Sequence, residues 1–221
     1  MKRTLMIVAL FLFSSTAFAQ QEFVPRYVGF TAYSYLNSPK LNLAERGFNA
    51  EGGFNWKRWI AIGADYSIFN GHSSLGPQDL TPALQMQLAA VVPPGVFISL
   101  PFTSTTYTLT AGPQFNYRHF KWVTLFARPA IGAMHETARL RPNTPLATAL
   151  VGQLVPSGKK TDVEPYYGVG GGFDVNASKN WGVRVTFDFV HVTLFSGFLN
   201  EGRNSLRISV GPWFGFGPNV K

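Results

Sequence analysis

The sequence predicts an all-β protein: an eight-stranded antiparallel up-and-down transmembrane β-barrel with short helices in two long outer loops. Three observations predict this fold. Charged residues make up only 14% of the 221 residues and aromatic residues 15%, a composition unlike that of a soluble domain. After residue 20, no apolar run approaches the roughly 20 residues that a helix needs to cross a bilayer. Apolar and polar residues instead alternate, as in strands with one apolar and one polar face.

The first 19 residues predict a secretory signal peptide that is removed on export. Lys2 and Arg3 precede an apolar run from Leu5 to Phe13, and Ala-Phe-Ala at 17–19 has the small-x-small pattern of a cleavage site. A short membrane anchor is the alternative, but the apolar run is too short to span a bilayer. Residues 20–221 then form a single domain, and because the chain has no cysteine, backbone pairing and apolar burial must stabilise it.

Eight strands follow along the chain, and the first is the least defined. Arg26 to Leu36 is rich in tyrosine, but aromatic residues on both faces leave its register open. The next six strands form three hairpins with short turns, and a single strand follows them. These seven strands alternate clearly, at residues 47–54, 60–68, 106–117, 123–131, 167–175, 183–189 and 206–214. An even number of antiparallel strands of about ten residues is what a closed membrane barrel requires.

The polar faces of these strands predict a lumen that is filled by paired charges. An eight-stranded barrel is just wide enough for its side chains to fill it, and buried charges must pair. The seven ionisable residues on these faces nearly balance in charge: Glu51, Asp65, Arg128, Asp174, Arg184, Asp188 and Arg207. We expect them to form a polar network in the lumen, with Asp188 and Arg207 paired across adjacent strands.

Aromatic residues at the short turns favour a membrane barrel over a water-soluble one. A lipocalin-like soluble barrel would also have eight strands and a signal peptide, but its apolar face would point inward. Here the charged face suits a filled lumen, which leaves the apolar face for lipid. The short turns carry the aromatic girdle expected at a bilayer surface: Trp56, Trp59, Phe120, Trp122 and Trp181.

The lengths of the connections predict the orientation of the barrel. Membrane barrels of this kind keep short turns on the periplasmic side and long loops outside. The three short turns, at residues 55–58, 118–121 and 176–180, all lie at one end. We therefore expect the longer connections, at residues 37–45, 70–102, 136–162 and 193–204, to face outward.

Two of the long connections share an internal repeat with the frame T-P-x9-V-P-x-G. In each copy the threonine can cap a helix, the proline suits its first turn, and two leucines lie one turn apart. The predicted loop helices contain Thr81, Pro82, Leu84 and Leu88 in one copy, and Thr144, Pro145, Leu146 and Leu150 in the other. We expect these helices either to pack on each other as a lid over the barrel mouth or to lie at the outer membrane interface. Mutual packing without a ligand and a binding role both remain open.

The chain has no strong catalytic or metal-binding motif. Its four histidines share no ligand spacing, although His135 and His191 could meet at the outer rim. The best enzymatic candidate is the end of the seventh strand, where base, nucleophile and orienting acid could come from His191, Thr193, Ser196 and Glu201. We predict no catalytic residue, no metal and no cofactor, with a lipid A or ester hydrolase at the rim as a weak alternative.

Three stretches resemble the small outer-membrane β-barrel family of the opacity-porin and OmpA/OmpX type. They are Tyr33 to Leu36, Gly53 to Asp65 and Asn204 to Gly211. The resemblance covers nearly all of the mature chain and implies a place in the outer membrane of a Gram-negative bacterium. It also implies insertion by the barrel assembly machinery, which usually reads an aromatic final residue. Here Phe214 and Phe216 precede five further residues.

Two classes of function follow from this resemblance. The first is a structural or surface-interaction role that the barrel exerts through its long extracellular loops. The alternative is a small-solute porin or a lipid-handling barrel. In either case, outer membrane lipids and lipopolysaccharide are the expected partners, no nucleic acid is bound, and the barrel is expected to be a monomer.

Overall fold

Eight antiparallel strands close into a barrel in which each strand pairs with its neighbours in the chain and the first pairs with the last. The structure is a computed structural model that describes residues 21–92 and 98–221. The strands are β1 (Pro25–Ser38), β2 (Leu43–Lys57), β3 (Ile60–Leu75), β4 (Leu100–Tyr117), β5 (Val123–Leu140), β6 (Lys159–Asn176), β7 (Trp181–Val192) and β8 (Arg203–Asn219). The predicted fold class is confirmed, whereas the predicted signal peptide lies outside the described residues.

The connections divide the barrel into two ends. The short-turn end carries the turns at residues 58–59, 118–122 and 177–180, and the long-loop end carries connections at residues 76–99, 141–158 and 193–202. Two of these hold the predicted short helices, α1 (Pro82–Val91) and α2 (Pro145–Leu154). Within the described parts of the chain, neither helix is long and apolar enough to cross a membrane.

The pairing of β1 with both neighbours settles the register that the sequence left open. Tyr33 lies opposite Phe48 on β2 and Val210 on β8, and all three side chains are exposed on the outer surface. Phe30 points into the lumen and is only 2% exposed. The aromatic residues of β1 therefore do lie on both faces, which is why alternation could not choose between them.

The strands are longer than predicted, and the additional residues lie mostly at the long-loop end. β4, β5 and β6 each have 18 residues, against the roughly 9–11 that span a bilayer. The connection expected at residues 37–45 shrinks to residues 39–42, built on a single 3-10 turn at Pro39–Leu41. The sequence did not show these extensions because their outward positions are polar: Thr103, Thr105, Thr137 and Thr161.

Large apolar side chains cover the middle of the outer surface. Such an area exposed to water would be a strong aggregation hazard, but it suits contact with lipid. The exposed side chains include Phe48, Phe54, Ile62, Tyr66, Leu109, Phe115, Leu125, Ile131, Tyr167, Val169, Phe187, Phe189, Val210 and Phe214.

The lumen is not polar along its whole length, which corrects the expectation of a uniformly polar inner face. Its long-loop half contains a continuous apolar cluster: Leu36, Leu41, Leu43, Phe69, Phe102, Ala130, Met134, Tyr166, Val190, Val192, Leu194, Phe195 and Leu199. Threonines occupy the outward positions at the same level. The polarity of the two faces is therefore inverted there, as in a soluble barrel, because a wall outside the hydrocarbon region must bury its apolar side chains inward.

Candidate functional site

A buried ion network crosses the middle of the lumen. Arg128, Gly170, Asp188 and Arg207 lie in register on the four consecutive strands β5 to β8. The Arg207 Nε donates to Asp188 Oδ2 at 2.9 Å, and the Arg128 Nε donates to Asp188 Oδ1 at 3.2 Å. Asp188 and Arg207, the pair expected from the sequence, are therefore in direct contact, and Arg128 shares the same carboxylate.

Glu51 extends this network to the opposite wall. Its two carboxylate oxygens accept from Arg128 Nη1 at 2.8 Å and from Arg184 Nη1 at 2.6 Å. Arg184 also donates to both oxygens of Asp174, at 2.7 and 2.9 Å. These bidentate and shared pairs are the strong form of the ionic hydrogen bond, and they fix the arginines in position across the lumen.

Asp65 completes the set of seven predicted network residues. It accepts from Arg207 at 2.7 and 3.2 Å, and from Asn49 Nδ2 at 3.1 Å. The structure thus brings all seven residues into one cluster, and no side chain among them is more than 10% exposed. Every guanidinium in it contacts at least two carboxylates, so the cluster is built to hold strands together, with no free group directed at a substrate.

A second buried charge cluster lies nearer the long-loop end, and our sequence reasoning missed it. Arg203 donates to the carboxylate of Glu136, and Thr106 Oγ1 donates to Glu45 Oε1 at 2.9 Å. All three charged side chains are buried. Continuing the period of two along β2, β5 and β8 beyond the predicted strand ends would have placed them in the lumen.

Polar side chains fill the lumen at the short-turn end. Arg118 donates to Gln21 Oε1 at 3.3 Å, to Asn55 Oδ1 at 3.2 Å and to the Arg58 carbonyl at 2.9 Å. Burial lowers the pKa of the Arg118 guanidinium to about 10, so it keeps its charge at neutral pH. Asn55 in turn donates to the Pro25 carbonyl at 2.7 Å. This plug closes the barrel below the ion network.

The connection between β7 and β8 closes the other end. Its side chains Leu194, Phe195 and Leu199 are buried in the apolar cluster at the mouth. Phe195 has a φ of 57°, an uncommon conformation for a residue with a side chain, and its N–H donates to Asp162 Oδ2 at 2.5 Å. Lys40 anchors the later part of this connection by donating to the carbonyls of Asn200 and, at 3.3 Å, Gly202.

The connection between β3 and β4 lies across this inner layer. Leu80 and Leu199 form an isolated antiparallel bridge, and the N–H of Thr81 donates to the Phe198 carbonyl at 2.9 Å. Contrary to expectation, the Thr81 side chain makes no capping hydrogen bond. Thr144 does cap its helix, accepting from the Ala147 N–H at 3.1 Å.

The two loop helices begin at Pro82 and Pro145, as the repeat predicted, and face a shared apolar cavity of about 70 Å³. Leu84 and Leu88 line it from α1, and Val151 lines it from α2. Leu146 is half-buried, and the side chain of Leu150 lies outside the described residues. We call the β7–β8 connection and the two helices together the lid; the connection, and not the helices, lies directly on the mouth.

The five aromatic residues predicted as a girdle all lie exposed at the short-turn end: Trp56, Trp59, Phe120, Trp122 and Trp181. Trp59 stacks on Phe115 with ring centroids 6.3 Å apart, and Lys121 Nζ lies 5.2 Å from the Trp122 ring. An apolar ring with a cation beside it suits the boundary between hydrocarbon and headgroups. Trp213, the fifth tryptophan of the chain, is buried in the lumen instead.

The enzymatic and metal alternatives find no geometric support in the described parts of the chain. His191 Nδ1 lies 2.8 Å from Asn204 Oδ1, and its ring packs against Tyr167. Over residues 21–92 and 98–221, no hydrogen bond joins His191 to the other proposed members of a triad: Thr193, Ser196 and Glu201. His135 lies on β5 against Tyr107, so β6 separates the two histidines.

Comparison with known proteins identifies the family. The family model described as "Outer membrane protein beta-barrel domain" matches residues 5–212. A search of curated proteins by sequence gave no significant match.

Solved structures similar to this chain include small outer membrane barrels, two of which superpose with a TM-score above 0.5. OprG from Pseudomonas aeruginosa superposes with a TM-score of 0.55 at 8% identity, over 89% of this chain and 98% of that one. Neisserial surface protein A (NspA) gives 0.51 at 13% identity, over 86% and 96%. Ail, the attachment invasion locus protein of Yersinia pestis, gives 0.45 at 15% identity, over 85% and 96%.

The matched family is one of outer membrane barrel proteins and not of enzymes, and NspA and OprG share the barrel fold. The family match covers most of the chain, and the closed eight-stranded barrel has the lipid-facing surface that the family requires. This chain therefore belongs to the outer membrane protein beta-barrel domain family, and its location is the bacterial outer membrane.

Proposed function

We propose that this protein is a surface barrel that acts through its long-loop end while its lumen stays closed to solutes. One observation carries the proposal: buried side chains block the lumen in three successive layers. These layers are the polar plug around Arg118, the ion network around Arg128 and Asp188, and the apolar cluster beneath the lid.

The size of the remaining space supports a closed lumen. Cavities beside the ion network measure about 20 Å³ each, which is room for roughly one water molecule. Opening a path would separate arginines from the carboxylates that they share, and unpairing a buried ion costs about 3–5 kcal/mol. A small-solute porin, the alternative function, would need to break several such pairs at once.

The volumes of the cavities beneath the lid also argue against a lipid-handling role. The two apolar cavities beneath the lid measure about 60 and 70 Å³. Each is less than half of the roughly 150 Å³ cavity that holds a benzene molecule. An acyl chain would not fit beneath the lid as the loops are packed.

The proposed orientation places the lid on the cell surface. Barrels of this kind keep short turns in the periplasm, and the exposed tryptophans and lysines of the short-turn end suit the inner leaflet. In this proposal the chain is exported by its signal peptide, inserted by the barrel assembly machinery and remains a monomer. The exposed residues of the lid would then be the contact surface.

Cysteine labelling tests this orientation, because the chain contains no cysteine of its own. Met86, on the exposed face of α1, and Lys57, at a short turn, are both exposed. We expect a membrane-impermeant maleimide to label Met86→Cys in intact cells and to leave Lys57→Cys unlabelled until the outer membrane is permeabilised. Labelling of Lys57→Cys alone in intact cells would reverse the orientation and contradict the surface role of the lid.

A further inference from the structure

Two cations face each other without a counterion at the long-loop end of β5 and β6. Arg139 and Lys159 are directly paired in register, both side chains are exposed, and their odd-numbered positions belong to the outward faces of the two strands. Arg141, also exposed, follows at the end of β5. Lys160 belongs to the inward face instead, and its Nζ lies 4.7 Å from the Phe198 ring of the lid. Three positive side chains are therefore gathered at this end of the outer wall, and we call them the rim patch: Arg139, Arg141 and Lys159.

The fold itself does not balance this charge. Like charges directly opposite each other on paired strands are destabilising. Within the described parts of the chain, none of these three side chains forms an ion pair. The pair directly below them, Thr137 and Thr161, is neutral and joined through its hydroxyl groups at 3.1 Å. Arg139 and Lys159 thus form a cationic pair whose charge only an external anion can neutralise.

The height of the rim patch identifies the kind of anion. The outward apolar series of β6 runs from Val175 to Val163, which is well exposed to the lipid side. Lys159 lies four residues further along the strand. With about 3.3 Å per residue and a tilt near 40°, that is about 10 Å beyond the hydrocarbon region. At this height the outer leaflet carries the phosphate and carboxylate groups of its glycolipid.

We propose that the rim patch binds the anionic groups of lipopolysaccharide, with Arg139 and Lys159 at its centre. Arginine provides a planar donor pair that matches a phosphate or carboxylate, and lysine adds a mobile point charge. The proposal rests on the orientation proposed above, since lipopolysaccharide occupies only the outer leaflet. It assigns a partner to the wall of the barrel, separate from the exposed surface of the lid.

The charge-reversed variant Lys159→Glu tests the proposal through two effects of opposite sign. The full chain, refolded in uncharged detergent, is titrated with purified lipopolysaccharide, and its unfolding temperature is measured without it. We expect at least tenfold weaker binding. We also expect the unfolding temperature without lipopolysaccharide to rise by a few degrees, because the introduced carboxylate would pair with Arg139.

Lys57→Glu at the short-turn end is the matched control, because it makes the same charge change on the opposite rim. It should bind lipopolysaccharide as the unchanged protein does. An equal loss of binding in both variants, or equally tight binding of soluble polyphosphate, would overturn the proposal in favour of a nonspecific charge effect. Both ends are accessible in detergent, so this result does not depend on orientation, which the cysteine labelling decides separately.

Discussion

Replacing Asp188 with alanine is expected to lower the free energy of unfolding by about 3–5 kcal/mol. Asp188 is fully buried and accepts hydrogen bonds from both Arg128 and Arg207. Its removal takes one carboxylate partner from each of these two buried guanidinium groups, and the loss of those ionic hydrogen bonds is the origin of the cost. Urea unfolding of the barrel refolded into lipid vesicles, followed by tryptophan fluorescence, measures it.

Glu201→Gln provides the control for a surface ion pair. Glu201 pairs with Lys40 at 3.6 Å, but its side chain is 81% exposed. Water and salt screen such a pair, so the expected loss is below about 1 kcal/mol. If Asp188→Ala cost no more than Glu201→Gln, the central network would not be a stabilising element, and the closed lumen would need another explanation.

Adding one methyl group at Gly170 is expected to lower the free energy of unfolding by about 1–3 kcal/mol, the range for overpacking. Gly170 lies between Arg128 and Asp188 in the same row of residues. A Cβ there would overlap Asp188 Oδ1 and lie 3.2 Å from the Phe187 carbonyl oxygen. Gly170 is therefore the gap through which the arginine of β5 reaches across β6 to the carboxylate of β7. The same urea titration measures the loss.

Gly53→Ala is the matched control within the lumen. A Cβ at Gly53 would have its nearest neighbours at 3.8 and 3.9 Å, which is ordinary contact. Its expected effect is near zero, and equal losses at Gly53 and Gly170 would contradict the role given to Gly170. A double variant adds a second check: once Asp188 is alanine, the change at Gly170 should cost much less, because the group that it displaces is gone.

The membrane-spanning part of the fold could be predicted because lipid imposes one rule on every strand. Each outward position must be apolar there, so the period of two identifies both faces, and Glu51, Asp65 and Arg128 are assigned to the lumen without knowledge of the pairing. The contact between Asp188 and Arg207 could also be predicted, because β7 and β8 are consecutive strands and must pair with each other.

Beyond the hydrocarbon region, outward positions need not be apolar. The ends of the strands could therefore not be predicted from alternation. Outward threonines such as Thr137 end the visible alternation while the strand continues, so Glu136 and Arg203 were missed. The lid depends on contacts between distant parts of the chain, such as Asp162 with the Phe195 N–H and Lys40 with the Gly202 carbonyl. No local pattern encodes those contacts. The register of β1 could not be predicted for a simpler reason: the strand carries aromatic residues on both faces, with Phe30 inside and Tyr33 outside.

Single-channel conductance in planar bilayers tests the central claim, a closed lumen, most directly. The refolded full chain is added to a bilayer in concentrated potassium chloride, and the current is recorded over a range of voltages. The three blocking layers predict a current that stays at the level of the protein-free bilayer, with no steady conducting steps. Large, steady steps that scale with the amount of inserted protein would contradict the closed lumen and establish the protein as a pore.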